Sequence, residues 1–229
     1  MSGDRELRVL HACNHVLCVA KPAGVPIVPD ASGDESLLDR AKAWVKSEYA
    51  KPGAVFLGVV HRLDRPVSGV VCFARTSKGA SRLSASFREG RAEKVYLAVT
   101  SRPLDAPPSE IEHFLAKDAA KNRVRVVAPD ASGARVARTE LRALATRADR
   151  TLVELRPITG RSHQLRVALA SLHAPIVGDL KYGAPAPLDD KSIALHASRL
   201  AVPHPTRDEI VRVELEPPDL DVWRGWPAP

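Results

Sequence analysis

The chain has 229 residues, 45% of them hydrophobic, enough for one large domain or two small ones with a sizeable core. Its three cysteines form no C-x-x-C pair, no apolar run reaches the length of a membrane span, and residues 1–10 lack the apolar stretch of a secretory leader. A disulfide-built secreted protein and a helical membrane protein are therefore excluded, and a cytoplasmic location is expected.

The net charge of +7 is unevenly placed. Residues 61–166 hold 21 basic and 11 acidic side chains, whereas residues 1–60 balance at 7 of each and residues 167–229 carry 6 basic against 9 acidic. An excess of Arg in mid-chain suits a polyanionic partner, because phosphates attract it whatever the base sequence.

In chain order, Val16–Ala20 reads as a buried strand ending in a turn at Lys21-Pro-Ala-Gly24, with Pro22 and Gly24 at type I turn positions. Residues 35–49 predict a helix, with Leu37, Leu38, Ala41 and Val45 at helical spacing. Ala54–Val60 and Val70–Ala74 are apolar strand-like runs around the polar segment 61–69. Cys18 and Cys72 read as small buried hydrophobes within such runs. Residues 78–89 predict an amphipathic helix, with Ala80, Leu83 and Phe87 on one side. Lys94–Thr100 predicts a strand, followed by strands near 110–116, 122–128, 135–145 and 150–158. Arg123 and Arg125 alternate with Val124 and Val126, the pattern of a sheet with one wet face. A helix is expected over 162–172, with Ser162 as its cap and Leu165, Leu169 and Leu172 inward. The proline-rich tail reads as loops and short strands. Strands mixed with a few helices, without strict alternation, point to an α+β fold. A single domain over 1–229 is expected, with two sub-halves hinged near the proline-rich stretch 102–108.

Three segments carry candidate chemistry. Asp64, in His61-Arg-Leu-Asp-Arg65, lies between arginines at the end of a strand, and a positive neighbour keeps a carboxylate ionised for nucleophilic or basic work. An Asp before a proline is also ordinary turn chemistry. Arg161 and Arg166 flank the predicted helix start, where the helix dipole disfavours cations. They then need an anion, a carboxylate or a phosphate, and Asp64 is the candidate partner for one of them; with a different helix start both are simply solvated. Tyr96, on a strand and opposite in direction to Val95 and Leu97, is placed either to stack on a base or to serve as a half-buried strand aromatic. The His11-Ala-Cys-Asn-His15 cluster has no second matching cluster, so zinc is not expected. No Walker A loop, G-x-G-x-x-G or G-x-S-x-G is present.

Taken together, the segments resemble the RluA family of pseudouridine synthases. Val16–Gly24 is similar to the family's first motif, and His61-Arg-Leu-Asp-Arg-Pro-Val-Ser-Gly69 with Val70–Ala74 to the second, which carries the catalytic Asp. Lys94-Val-Tyr-Leu-Ala98 resembles the segment with the active-site Tyr. Pro157–Val167 and Pro175–Gly183 resemble the longest signature, and Leu195–Leu200 with His204-Pro205 the closing motif. Two positions depart from the pattern. Val67 replaces a Thr, so the catalytic loop is expected to be held differently, and Ala168 stands where a His is frequent.

The resemblance implies the pseudouridine synthase fold, a mixed and largely antiparallel central sheet flanked by helices. It also implies isomerisation of uridine in rRNA or tRNA. Asp64 would be the catalytic carboxylate, by attack on C1′ or by removal of a ribose proton. Tyr96 would stack on the extruded base, and Arg166 would pair with Asp64. Arg62, Arg161 and His163 would contact RNA, and Leu195 would line the pocket. No metal, nucleotide or redox cofactor is implied, no membrane partner, and the chain is expected to be a monomer without the accessory S4 domain. The alternative is a non-catalytic RNA-binding or ribosome-assembly protein on the same fold.

Overall fold

The computed structural model describes residues 6–118, 120–147 and 149–227, so residues 1–5 of the N-terminal reading lie outside it. The elements follow in chain order. Strands β1 (Val9–Ala12) and β2 (Val16–Lys21) precede helix α1 (Leu37–Glu48), then come β3 (Gly58–Val59), β4 (Ser68–Ala74) and α2 (Ser77–Arg88). Strands β5 (Glu93–Val99), β6 (Glu110–Asp118), β7 (Arg123–Val127), β8 (Arg135–Thr146) and β9 (Thr151–Pro157) lead to α3 (Gln164–Ser171). Strands β10 (Leu195–Pro203) and β11 (Ile210–Glu214) close the chain. The strands are mixed and mostly antiparallel and occur with three α-helices, as the fold class requires. No helix among the described residues is long and apolar enough to cross a membrane.

The chain forms two compact units. The first runs to Glu93 and resumes over Arg199–Leu215; the second holds Lys94–Ser198 and the residues from Glu216 on. The stretch 102–108 lies inside the second unit.

In the first unit the strands run in the order β1-β2-β4-β10, with β11 on β10 and β3 on β4. Val16, Cys18, Val70, Cys72 and Ala74 of the paired strands β2 and β4 bury against Leu83 of α2 and against Leu200, Val202, Val211 and Val213. Both Cys18 and Cys72 are fully buried, as small hydrophobes should be. Helix α1 buries Leu37, Ala41 and Val45 at helical spacing, and Ser36 caps it by accepting from the Asp39 N–H. The apolar run 54–60 yields only the two-residue β3 rather than a full strand. Gly58 there lies so close to α2 that a Cβ on it would stand 2.7 Å from the Ala80 Cβ, and Phe56 is half exposed, so the run has no single buried face.

In the second unit the order is β10-β5-β9-β8-β6-β7. Helix α3 sets Val167 and Ala170 against Leu115, Val124, Ala137 and Tyr182. The tail strand β10 spans nine residues and is longer than the short strands expected. Its polar members hid its burial: His196 and Ser198 are almost fully enclosed, and the Ser198 hydroxyl donates to the Val95 carbonyl at 3.2 Å.

Candidate active site

In the first unit, Asp64 sits half-buried on the loop that delivers the chain into β4. The loop is fixed through its backbone. Val67 N–H donates to Asp64 O at 3.0 Å, which closes a turn around Arg65-Pro66. Lys21, at the end of β2 and 1% exposed, donates from Nζ to Val67 O (2.7 Å), Arg65 O (3.0 Å) and Pro22 O (3.0 Å). Gly24, at φ +85°, donates its N–H to Arg65 O, and Arg65 Nε donates back to Gly24 O, both at 2.8 Å. The first motif is therefore the clamp of the second. Arg65 also pairs with Asp34 and, at 3.6 Å, with Asp30; Ser32 hydrogen bonds, helped by Arg65, hold the Asp30 carboxyl below the usual range, and Arg65, helped by Ser32, does the same to Asp34.

Burial pushes the Lys21 ammonium down to about 7; the Asp64 carboxylate works against this and Arg65 works with it. Three carbonyls around Nζ are all satisfied by three N–H groups, which offsets part of the cost of burying the charge. Val67, the departure from the family pattern, has its side chain buried at 2% exposure. Its peptide groups, not a side-chain hydroxyl, carry the loop's hydrogen bonds. His61 is a support: Nε2 accepts the Cys72 N–H at 2.8 Å, and the ring stacks on Phe87 at 4.5 Å. Arg62 is exposed.

In the second unit, Tyr96 is half-buried on β5, opposite Leu155 of β9, while Leu97 beside it is 2% exposed. Leu195, at the start of β10, is buried. Helix α3 begins two residues later than the sequence suggests, at Gln164. Its cap is His163 in the left-handed region (φ 52°) with no side-chain cap bond, and Ser162 is exposed. The Gln164 side chain, rather than capping the helix, fastens the preceding loop and strand to its start. Its Oε1 accepts from Arg161 N (3.0 Å) and Thr159 Oγ1 (2.7 Å), and its Nε2 donates to Arg138 O (2.8 Å) and Thr139 Oγ1 (2.9 Å). This latch ties the helix start to β8, and Arg161 Nε adds a bond to Val136 O at 2.9 Å.

Arg166 is buried in the first turn of α3, where the helix dipole disfavours a cation. Within this unit the compensating carboxylate is Asp179, which accepts from Arg166 Nε and Nη2 at 2.7 Å each. Tyr182 is the second hub. The Arg166 guanidinium stands 5.0 Å from its ring centroid, and its hydroxyl accepts the Val124 N–H at 2.9 Å and meets His163 Nδ1 at 2.7 Å.

Sequence reasoning singled out neither Lys21, Gln164, Asp179 nor Tyr182. The signal was faint: all four lie in the motif-like segments, but none was distinguishable there from a turn residue.

Residues 15–171 match the family model described as RNA pseudouridylate synthase. An uncharacterized RNA pseudouridine synthase of Zymomonas mobilis is 35% identical over 212 residues, 92% of this chain and 90% of its own. The dual-specificity RNA pseudouridine synthase RluA of Haemophilus influenzae is 33% identical over 205 residues, 89% of this chain and 90% of its own. Among solved structures, the human RNA pseudouridylate synthase domain containing 4 superposes with a TM-score of 0.76 at 27% identity, covering 93% of this chain and 89% of that one.

Proposed function

Since the chain belongs to the RNA pseudouridylate synthase family and is an isomerase of uridine in RNA, we propose that Asp64 is its catalytic carboxylate and that structured rRNA or tRNA is its substrate. The observation that carries this is the investment in the Asp64 loop. A fully buried lysine spends its three donors on backbone carbonyls, two of them the loop's own, and a buried charge of that kind is costly unless it fixes something.

In this reading the target uridine leaves its stack and Tyr96 stacks on the extruded base. Arg62 contacts the backbone or fills the vacated space. Arg161 and His163 contact RNA, and Leu195 lines the pocket. Arg166 pairs with Asp64 and orients it. Two routes are open to Asp64: attack on C1′, or removal of a ribose proton. On either, the bond from C1′ to N1 breaks, the uracil turns and C5 bonds to C1′ as the Asp64 ester is released or the ribose proton is returned; the C5 proton then leaves and N1 takes up a proton. The product is an isomer of the reactant, so the chemistry is redox-neutral and consumes no co-substrate.

The test is release of tritium from RNA labelled at C5 of uridine, with wild-type protein and Asp64→Asn side by side. Release by the wild type alone, with RNA affinity retained by Asp64→Asn, is expected. Full release by Asp64→Asn would overturn the assignment. Salt-sensitive RNA binding with no release from either protein would favour a non-catalytic RNA-binding protein.

A further inference from the structure

We propose that strand β7 is a docking strip for the RNA backbone, with Arg123 and Arg125 each taking a phosphate of the substrate strand. The proposal rests on the reading of Arg166 and His163 given above and extends it to a surface outside the family motifs.

Strand β7 is the last in the order of its unit, so one of its edges has no strand partner among the described residues. Its inward residue, Val124, is 4% exposed, whereas Arg123 and Arg125 are exposed and, two apart on a strand, share a face. Opposite Arg125 in the register stands Ala116, too small to cover it. Opposite Arg123 stands Asp118, whose Oδ1 accepts from the Lys121 N–H at 3.1 Å.

Three arginines further into the sheet are neutralised. Arg138 pairs with Glu112, while Arg142 and Arg156 pair with Glu154 at 3.5 and 3.0 Å. No ion pair joins Arg123 or Arg125 to an acidic side chain among the described residues. Two uncompensated guanidinium groups on one face suit an anion that repeats along a line, which is what a phosphodiester backbone offers.

Position ties the strip to the site. The Arg123 guanidinium lies 5.6 Å from the Tyr182 ring centroid, and the same ring carries Arg166 at 5.0 Å. The Tyr182 hydroxyl joins Val124 N of β7 to His163 at the head of α3. A strand of RNA whose target uridine is served by Arg166 thus has its neighbouring phosphates within reach of β7.

The test is the salt dependence of binding to a fluorescein-labelled stem–loop RNA with a uridine-rich loop, read by anisotropy. Each phosphate contact contributes about 0.7–0.9 to the slope of log affinity against log salt. Arg123→Gln/Arg125→Gln is expected to lower the slope by about 1.4–1.8. Arg125→Gln alone, which leaves the Arg123–Tyr182 contact in place, should lower it by about half as much, and Arg125→Lys should restore it. The ion-paired Arg142→Gln should keep the wild-type slope. An unchanged slope in the double variant, with its thermal melt intact, overturns the strip. Failure of the isomerase reading shows separately, as absence of tritium release from the wild type.

Discussion

Nε and Nη2 of Arg166 each stand 2.7 Å from a different oxygen of Asp179, and both side chains are almost fully buried. Such a pair gains little over apolar residues of equal volume, but breaking one side strands a charge in a dry site. Asp179→Asn is expected to cost about 3–5 kcal/mol of unfolding free energy by urea titration. Arg166→Met combined with Asp179→Leu should recover most of that stability and none of the activity.

Gly178 precedes this aspartate at φ +85°, and a Cβ on it would stand 2.7 Å from the Ser192 carbonyl oxygen. That backbone atom has no rotamer by which to retreat. Gly178→Ala should therefore lose about 1–3 kcal/mol from backbone strain alone. It should also lower the turnover number, because the displaced turn carries Asp179. A melt within a degree of wild type would show that the turn rearranges freely.

Gln164→Leu keeps the side-chain volume and removes four hydrogen bonds at the head of α3. Each buried partner left unmade costs about 1–3 kcal/mol. The Arg161 amide, which donates to Gln164 Oε1, should exchange its hydrogen markedly faster in the variant. Unaltered exchange would mean the loop is held by other contacts.

Lys21 gives a pH signature. Unfolded, its amine keeps its proton to about 10.5; folded, burial lowers this to about 7. Between these values the unfolded state binds more protons, so stability attributable to this group rises with pH across that window and is flat below it. Wild-type unfolding free energy minus that of Lys21→Met should therefore climb between pH 7.5 and 9.5. A flat difference would mean that the three carbonyls hold the proton through the whole range.

Much of this architecture is legible in the sequence. Alternation, apolar runs and helical spacing locate β2, β4 to β9 and all three helices, and α1 and α2 show the plainest apolar faces. Less regular signals mislead. The run 54–60 looks like a strand but packs as an irregular segment, since Gly58 must make room for Ala80. Ser162 looks like a cap, but the helix starts at Gln164 with no side-chain cap, and Gln164 instead reaches back to hold the Arg161 N–H of the preceding loop. The motifs point to Asp64, Tyr96 and Arg166 as chemistry-bearing residues. Their supports were invisible for a common reason. Lys21, Asp179 and Tyr182 act through partners 13 to 58 residues away in sequence, and nothing local marks a lysine as buried or a tyrosine hydroxyl as an edge cap.

Strand β10 changes unit in mid-course, with Leu195–Ser198 in one and Arg199–Pro203 in the other. On the ribosome this has a kinetic meaning. The first ninety or so residues emerge early, yet their sheet lacks β10 and β11 until residue 214 has been made. Until then β4 presents an open apolar flank, the kind of surface that chaperones shield. A truncation that removes the chain from Arg199 onward would therefore leave the first unit without its closing strands, whereas one that begins at Glu216 would spare them.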